Sequence, residues 1–226
     1  MPYYIRQMRK EDVPQVTEID HEAFPTQWPP ADYRHELQNR MAHYIVACDD
    51  TRVVEEPAAG PVTGFSGFIS RIRRWFKDGK FSYEELLPSA RTYILGFAGI
   101  WLLAEEAHIT NIAVRKGYQR QGIGEVLLQS ITEIALDLKA SIITLEVRIS
   151  NTAAQNLYSK YSFYQAGMRR GYYTDNREDG VIMTTEVIST TSFQSQFWEL
   201  KDSHLKKQGM AQYKPVSKRS ALPGKR

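Results

Sequence analysis

The stretch YQRQGIGEVLLQSI, residues 118–131, narrows what this chain can fold into more than any other. Two glycines, Gly122 and Gly124, stand at the mouth of an apolar helical repeat. The first turn of a helix leaves backbone N–H groups without intrahelical partners, and the peptide dipoles put partial positive charge there. Such a start suits an anion. A P-loop needs Lys and then Ser or Thr directly after its last glycine, but Glu125 and Val126 stand there instead. A Rossmann fingerprint needs a third glycine three residues after Gly124, and that position is Leu127. Spacing alone leaves two readings open. One is a short turn whose amides wrap a pyrophosphate, with the glycines letting the backbone approach it. The other is a plain strand–turn–helix connection.

At 226 residues the chain buries one sizeable core and leaves little room for a second full domain. No apolar run approaches the ~18 residues of a membrane span, and MPYYIRQMRKEDV lacks the apolar centre of a secretory signal. Cys48 is the only cysteine, which excludes an internal disulfide and reads as a small strand residue rather than a nucleophile. A cytoplasmic protein is expected. The net charge of +3 hides an asymmetry: residues 201–226 hold eight Lys or Arg and one acid, which leaves the first 200 residues at −4. The basic tail reads as a solvated end, or as a loose contact for RNA or the ribosome. The five histidines show no i,i+4 pairing and no cysteine cluster joins them, so no metal is expected.

The pattern predicts a strand at YYIRQM, a helix through KEDVPQVTEIDHEAF with Pro14 in its first turn, and a short helix at ADYRHELQNR with Asp32 near its start. HYIVACDD reads as a buried strand. TYILGFAGIWLLAEEAHITNIAVRK reads as two antiparallel strands joined near AEEA, and the glycine turn then opens a helix ending about Leu138. SIITLEVRI is a strand, NTAAQNLYSKY a helix, GVIMTTEVI the last strand, and TTSFQSQFWELKDS a helix before the tail. This is one α/β (α+β) domain with a mixed sheet flanked by helices. Within 50–91, FSGFISRIRRWF sets Phe65, Phe68, Ile69, Ile72, Trp75 and Phe76 on one helical stripe. That stripe packs on the protein's own sheet, docks a partner or lies on a membrane surface.

The runs EAFPTQW, HITNIAV, QRQGIG, LEVRISNTAAQNLY and RRGYYTDNREDGVIM together resemble the GCN5-related N-acetyltransferases (GNAT), and within them the bacterial ribosomal-protein-alanine N-acetyltransferases. The resemblance covers roughly residues 3–188 apart from 50–91, where the family has a tight hairpin. It implies the GNAT fold, a mostly antiparallel central sheet with an inserted segment between early strands. It divides the chain into a transferase domain, 1–188, and a C-terminal helix and basic tail, 189–226.

The resemblance further implies that the anion is the pyrophosphate of acetyl-CoA, in a Q/R-x-x-G-x-G/A loop. Arg120, Gln121, Gly122, Ile123, Gly124 and Glu125 form the cradle. Ile112, Ala113 and Val114 pair with the pantetheine arm, and Asn151 hydrogen-bonds the cofactor. Glu146 and Tyr158 take the positions of general base and general acid. Tyr172 and Tyr173 close the acceptor groove, and the usual acceptor is the N-terminal Ala of ribosomal protein S18.

Residue-level chemistry agrees with the base. Period-2 alternation sets Ile143, Leu145, Val147 and Ile149 on one face of their strand and Thr144, Glu146 and Arg148 on the other. A terminal amine titrates near about 8 and Lys near about 10.4, so roughly a tenth of terminal amines are neutral at pH 7. Glu146 need therefore be only a weak base if the acceptor is an N-terminus. A phenol near about 10 cannot fully protonate a thiolate near about 8.5 without cost, so Tyr158 is expected to donate a strong hydrogen bond to the leaving sulfur. Two alternatives stay open: acetylation of lysine or a small amine, and a non-catalytic acyl-CoA-binding module.

Overall fold

The computed structural model describes residues 3–25, 31–54 and 91–208. The apolar stripe of 65–76 and the tail beyond 208 lie outside the described residues. Seven strands form one sheet: β1 (Tyr3–Gln7), β2 (Ala42–Val54), β3 (Arg91–Leu103), β4 (Glu106–Val114), β5 (Ile142–Arg148), β6 (Phe163–Tyr173) and β7 (Glu178–Thr185). Their order is β1-β2-β3-β4-β5-β7-β6. β1 with β2, β3 with β4, β5 with β7 and β6 with β7 pair antiparallel, and β4 with β5 pairs parallel. Among the described residues five α-helices accompany the sheet: α1 (Val13–Ala23), α2 (Tyr33–Glu36), α3 (Ile123–Asp137), α4 (Thr152–Lys160) and α5 (Thr191–Gln208).

The chain divides into two compact units, residues 1–49 with 94–226, and Asp50–Tyr93. The described part of the second is the outer ends of β2 and β3, where the Arg52 guanidinium lies 6.0 Å from the centre of the Tyr93 ring.

In the first unit, β2 and β3 are interior strands of the sheet, and Tyr44–Cys48 and Ile94–Ile100 are continuously buried. Runs of this kind are what a strand covered on both faces requires. Cys48 is among them, and burial pushes its thiol up to about 11, which removes it as a nucleophile. Pro14 sits in the first turn of α1. That helix buries Val13, Val16 and Ile19 against Tyr33, Tyr44, Val46 and Phe97. Tyr33 meets Tyr44 and Phe97 edge-on, and its hydroxyl donates to the buried Asp20 at 2.7 Å.

Helix α2 is shorter than the sequence pattern predicts. Asp32 caps it by accepting from Arg34 and His35 amides at 3.1 and 3.2 Å. Asn39 then takes the Met41 amide at 3.0 Å and turns the chain into β2.

Gly99 of β3 lets the Tyr44 ring lie across the strand, with its hydroxyl 3.4 Å from Thr110 Oγ1. A Cβ at Gly99 would meet that ring at 2.2 Å. Gly99→Ala is expected to lower stability by about 1–3 kcal/mol through overpacking, read as the unfolding midpoint in denaturant. An unchanged midpoint would contradict the placement of Tyr44.

Strand β6 is the element that sequence reading missed. It forms the sheet edge, and nearly all of its side chains from Tyr164 on are exposed.

Candidate active site

Strands β4 and β5 run parallel and pair at only three positions, from Glu106↔Ile142 to His108↔Thr144. Beyond them the strands part. β4 stays paired with β3 on its other side as far as Gly96↔Val114, and β5 with β7 as far as Arg148↔Gly180. Between Gly99 and Ile100 the β3–β4 register shifts, leaving Thr110 as the extra residue of a bulge. The inner edges of Ile109–Val114 and Leu145–Arg148 are thus unpaired with each other, and they leave a wedge-shaped opening. Ile112, Ala113 and Val114 lie on this stretch of β4, paired with β3 and not with β5.

The Gly-Ile-Gly turn follows directly. Gln119 Nε2 donates to Val114 O at 3.1 Å and Gln121 Nε2 to Gly117 O at 3.2 Å, which fastens the turn to the end of β4. Arg120 has φ 63° and Gly122 φ 82°. Such left-handed residues turn successive amides toward one concavity. Gly122 is the N-cap of α3, and the first backbone bond there runs from Val126 N–H to Gly122 O at 3.1 Å. The amides of Ile123, Gly124 and Glu125 therefore open the helix ahead of its own ladder. A Cβ at Gly124 would meet only Val114 Cγ2, at 3.8 Å. The glycine is not demanded by protein packing, and the space beside it suits a ligand. Helix α3 is held in place by Ile123, Leu127, Leu128 and Ile131, all buried.

The Glu125 carboxylate is turned away from this concavity. Lys160 and Tyr161 donate to it, the latter at 2.6 Å, and His204 Nδ1 of α5 lies 3.2 Å away. Burial raises this carboxyl, but the hydrogen bonds of His204, Lys160 and Tyr161 outweigh burial and hold it at about 2. A depressed folded-state value gives stability that is present above the unfolded value near 4.5 and is lost as pH falls toward 2. Glu125→Gln is expected to lower the unfolding temperature at pH 7, with the gap to the unaltered protein closing between pH 4.5 and 2. A gap that stays constant over that range would contradict the assignment.

On β5 the burial alternates as the sequence predicts: Ile143, Leu145 and Val147 are buried, and Thr144, Glu146 and Arg148 share the other face. Ile149 departs from that expectation. The strand ends at Arg148, and Ile149 is exposed. The Glu146 side chain is 8% exposed. It lies between His108 Nε2, 3.3 Å from its Oε2, and Arg169 Nη2 of β6, 3.0 Å from its Oε1. His108 Nδ1 is 3.0 Å from Thr144 Oγ1, and that hydroxyl donates to Glu106 Oε1 at 2.5 Å. His108, Thr144, Glu106 and Arg169 were not singled out in the sequence. Alternation puts Glu106 and His108 on one face of β4, but only the parallel register sets that face beside Thr144 and Glu146.

Tyr158 of α4 is buried, and its ring stands 5.7 Å from that of Phe163. Burial first, and Tyr173 second, push its phenol well above the usual value. Tyr173 is pushed up to about 12 by burial, with Tyr172, Glu146 and Glu178 adding to this and Arg148 opposing it. The Tyr173 hydroxyl is thus within electrostatic reach of both Tyr158 and Glu146. Arg148 lies 4.0 Å over the Tyr173 ring and is fixed by Asp175 at 2.9 Å and Glu178 at 3.2 Å. Tyr172 packs edge-on against Tyr173 at 5.1 Å and takes Arg169 over its ring at 5.4 Å. Asn151 caps α4, its Oδ1 accepting from the Ala154 amide at 3.1 Å, and its side chain is exposed.

The model of the acetyltransferase (GNAT) family matches residues 70–163. A Bacillus subtilis protein, provisionally named a ribosomal protein bS18-alanine N-acetyltransferase, is 34% identical over 180 residues, covering 79% of this chain and 92% of its own length. The chain belongs to the GNAT acetyltransferase family. A second relative, an N-alpha-acetyltransferase of Sulfurisphaera tokodaii, is 32% identical over 80% of this chain and 91% of its own. The ribosomal-protein-S18-alanine N-acetyltransferase of Escherichia coli shares the GNAT fold, with a TM-score of 0.59, 24% identity and coverage of 82% of this chain and 94% of the other. GNAT enzymes take their acetyl group from acetyl-CoA, and this chain is an acetyl-CoA-dependent N-acetyltransferase. Among the described residues no cluster of His, Cys, Asp or Glu could hold a metal, and no helix is long and apolar enough to cross a membrane.

Proposed function

We propose that this GNAT enzyme moves the acetyl group of acetyl-CoA to the α-amine of a protein N-terminus, with the N-terminal Ala of ribosomal protein S18 as acceptor. The observation that carries the reading is the parting of β4 from β5. It leaves the free amides after Gly122 just beyond the unpaired end of β4 and Glu146 on the facing, unpaired stretch of β5. The names of the Bacillus subtilis and Escherichia coli relatives support the acceptor.

Arg120, Gln121 and Gly122 shape the turn, and the amides of Ile123, Gly124 and Glu125 donate to the pyrophosphate. Ile112, Ala113 and Val114 offer a strand edge to the pantetheine arm, and the Asn151 side-chain amide donates to the cofactor. The cofactor supplies the activated acetyl group. Glu146 accepts a proton from the acceptor amine, directly or through a water. A phenol raised this far by burial stays protonated, so Tyr158 donates a hydrogen bond to the leaving sulfur rather than its whole proton. Tyr172 and Tyr173 close the acceptor groove, and Arg148 fixes the Tyr173 ring.

The domain bounds proposed are 1–188 for the transferase, with 50–91 inserted, and 189–226 for the C-terminal helix and tail. The enzyme works in the cytoplasm, where ribosomal proteins are made.

The test is mass spectrometry of an Ala-initiated basic peptide incubated with acetyl-CoA, beside the same peptide with its N-terminus blocked. Acetylation of the free peptide alone is expected. Equal labelling of the blocked peptide would replace this reading with lysine acetylation.

A further inference from the structure

We propose that Thr144 and Glu106 are positioning residues for acetyl transfer: they fix the ring protons of His108 so that its Nε2 takes over the proton Glu146 removes from the acceptor amine. The proposal rests on the reading of Glu146 as the base. Three successive contacts run from Glu146 through His108 and Thr144 to Glu106, and their protons can point in only one direction.

The direction follows from what each group can donate. The Glu106 carboxylate only accepts, and it takes the single Thr144 O–H at 2.5 Å. Thr144 Oγ1 has no other proton, so toward His108 it accepts. His108 Nδ1, 3.0 Å away, therefore carries a hydrogen. In a neutral ring the other nitrogen is then bare. That nitrogen, Nε2, faces Glu146 Oε2 at 3.3 Å. A bare nitrogen beside a carboxylate is repelled, whereas one proton between them binds both. The pair is built to share a proton.

The transfer balances. The amine N–H bond breaks and an O–H bond forms on Glu146. That bond breaks in turn as N–H forms at His108 Nε2, leaving imidazolium beside carboxylate. The Glu106 charge, reaching Nδ1 through Thr144, favours this imidazolium. The His108 side chain is 25% exposed, so water removes the proton after product leaves. Arg169 of β6 holds the other oxygen of Glu146, its Nη2 3.0 Å from Oε1. The Glu146 charge also acts on Tyr172 and Tyr173 of β6.

The site has a reason for such a chain. With cofactor and acceptor filling the wedge, Glu146 is closed from the open side. His108 and Thr144 lie at the paired end of β4 and β5, away from the parting strands.

The test compares kcat and kcat/KM against pH for Thr144→Val, Thr144→Ser, Glu106→Gln and Glu146→Gln, with acetyl-CoA affinity and melting temperature measured alongside. Thr144→Val keeps the shape and loses the hydroxyl. Thr144→Val and Glu106→Gln are each expected to lower kcat about tenfold, part of the range for proton transfer by a positioned group. Acetyl-CoA affinity and melting temperature should hold. Glu106→Gln should also move the acidic limb of the profile to lower pH, because a charge favouring the protonated pair is gone. Thr144→Ser, which keeps the hydroxyl, should recover most of the rate.

Profiles of Thr144→Val and Glu106→Gln that superpose on the unaltered enzyme, with Glu146→Gln slow, overturn the positioning role and leave the base. A rate loss in Glu106→Gln with the acidic limb unmoved also overturns it. A Glu146→Gln enzyme at full rate overturns both readings.

Discussion

Glu146→Gln slows acetylation of a free N-terminus by about a hundredfold, with acetyl-CoA affinity within about twofold of the unaltered enzyme. The magnitude is the lower end for loss of a general base. It is the lower end because roughly a tenth of terminal amines are already neutral at pH 7. The same substitution should cost more on a lysine-bearing small amine, whose neutral fraction is below about one in a thousand. Affinity survives because the side chain is 8% exposed and Gln keeps its shape between His108 and Arg169. Steady-state kinetics and a cofactor titration separate the two quantities. A variant as fast as the unaltered enzyme would remove Glu146 from the chemistry.

The second large effect is at Gly124. Gly124→Asp should weaken acetyl-CoA by about a hundredfold and leave the melting temperature equal or higher. The fold has room, since a Cβ there touches only Val114 Cγ2 at 3.8 Å. An acid in the first turn also favours the helix through its dipole. A diphosphate at the same amides meets a like charge, and one such pair about 5 Å apart is worth about 3 kcal/mol at an effective dielectric near 20. Stability and affinity therefore move in opposite directions. Calorimetry on the free protein and a cofactor titration read them independently, and unchanged affinity would place the anion elsewhere.

How far the sequence revealed this site depends on where the information lies. The helix start was legible because glycines before an apolar repeat are local in the chain. The face that carries Glu146 was legible because strand alternation is local too, and β5 obeys it, whereas its role as base came from the family resemblance alone. Strand β6 was not: it is an exposed edge with Gly167 and Gly171 inside it, so it has no buried alternation to betray it. Helix α2 fell short of its pattern because Asn39 diverts the chain one turn early. The ring of partners around Glu146 was hidden for another reason. His108 and Thr144 are 36 residues apart, and Arg169 comes from the missed strand. Only the parallel register of β4 and β5 brings them to one face.

The proposed transferase depends on backbone amides at the start of α3 gripping the cofactor. The direct measurement is an amide-resolved NMR titration of the whole chain with coenzyme A. The predicted result is saturable shifts largest at Ile123, Gly124 and Glu125, with one equivalent bound. Saturation with those three amides unmoved, and the shifts concentrated elsewhere, would contradict it.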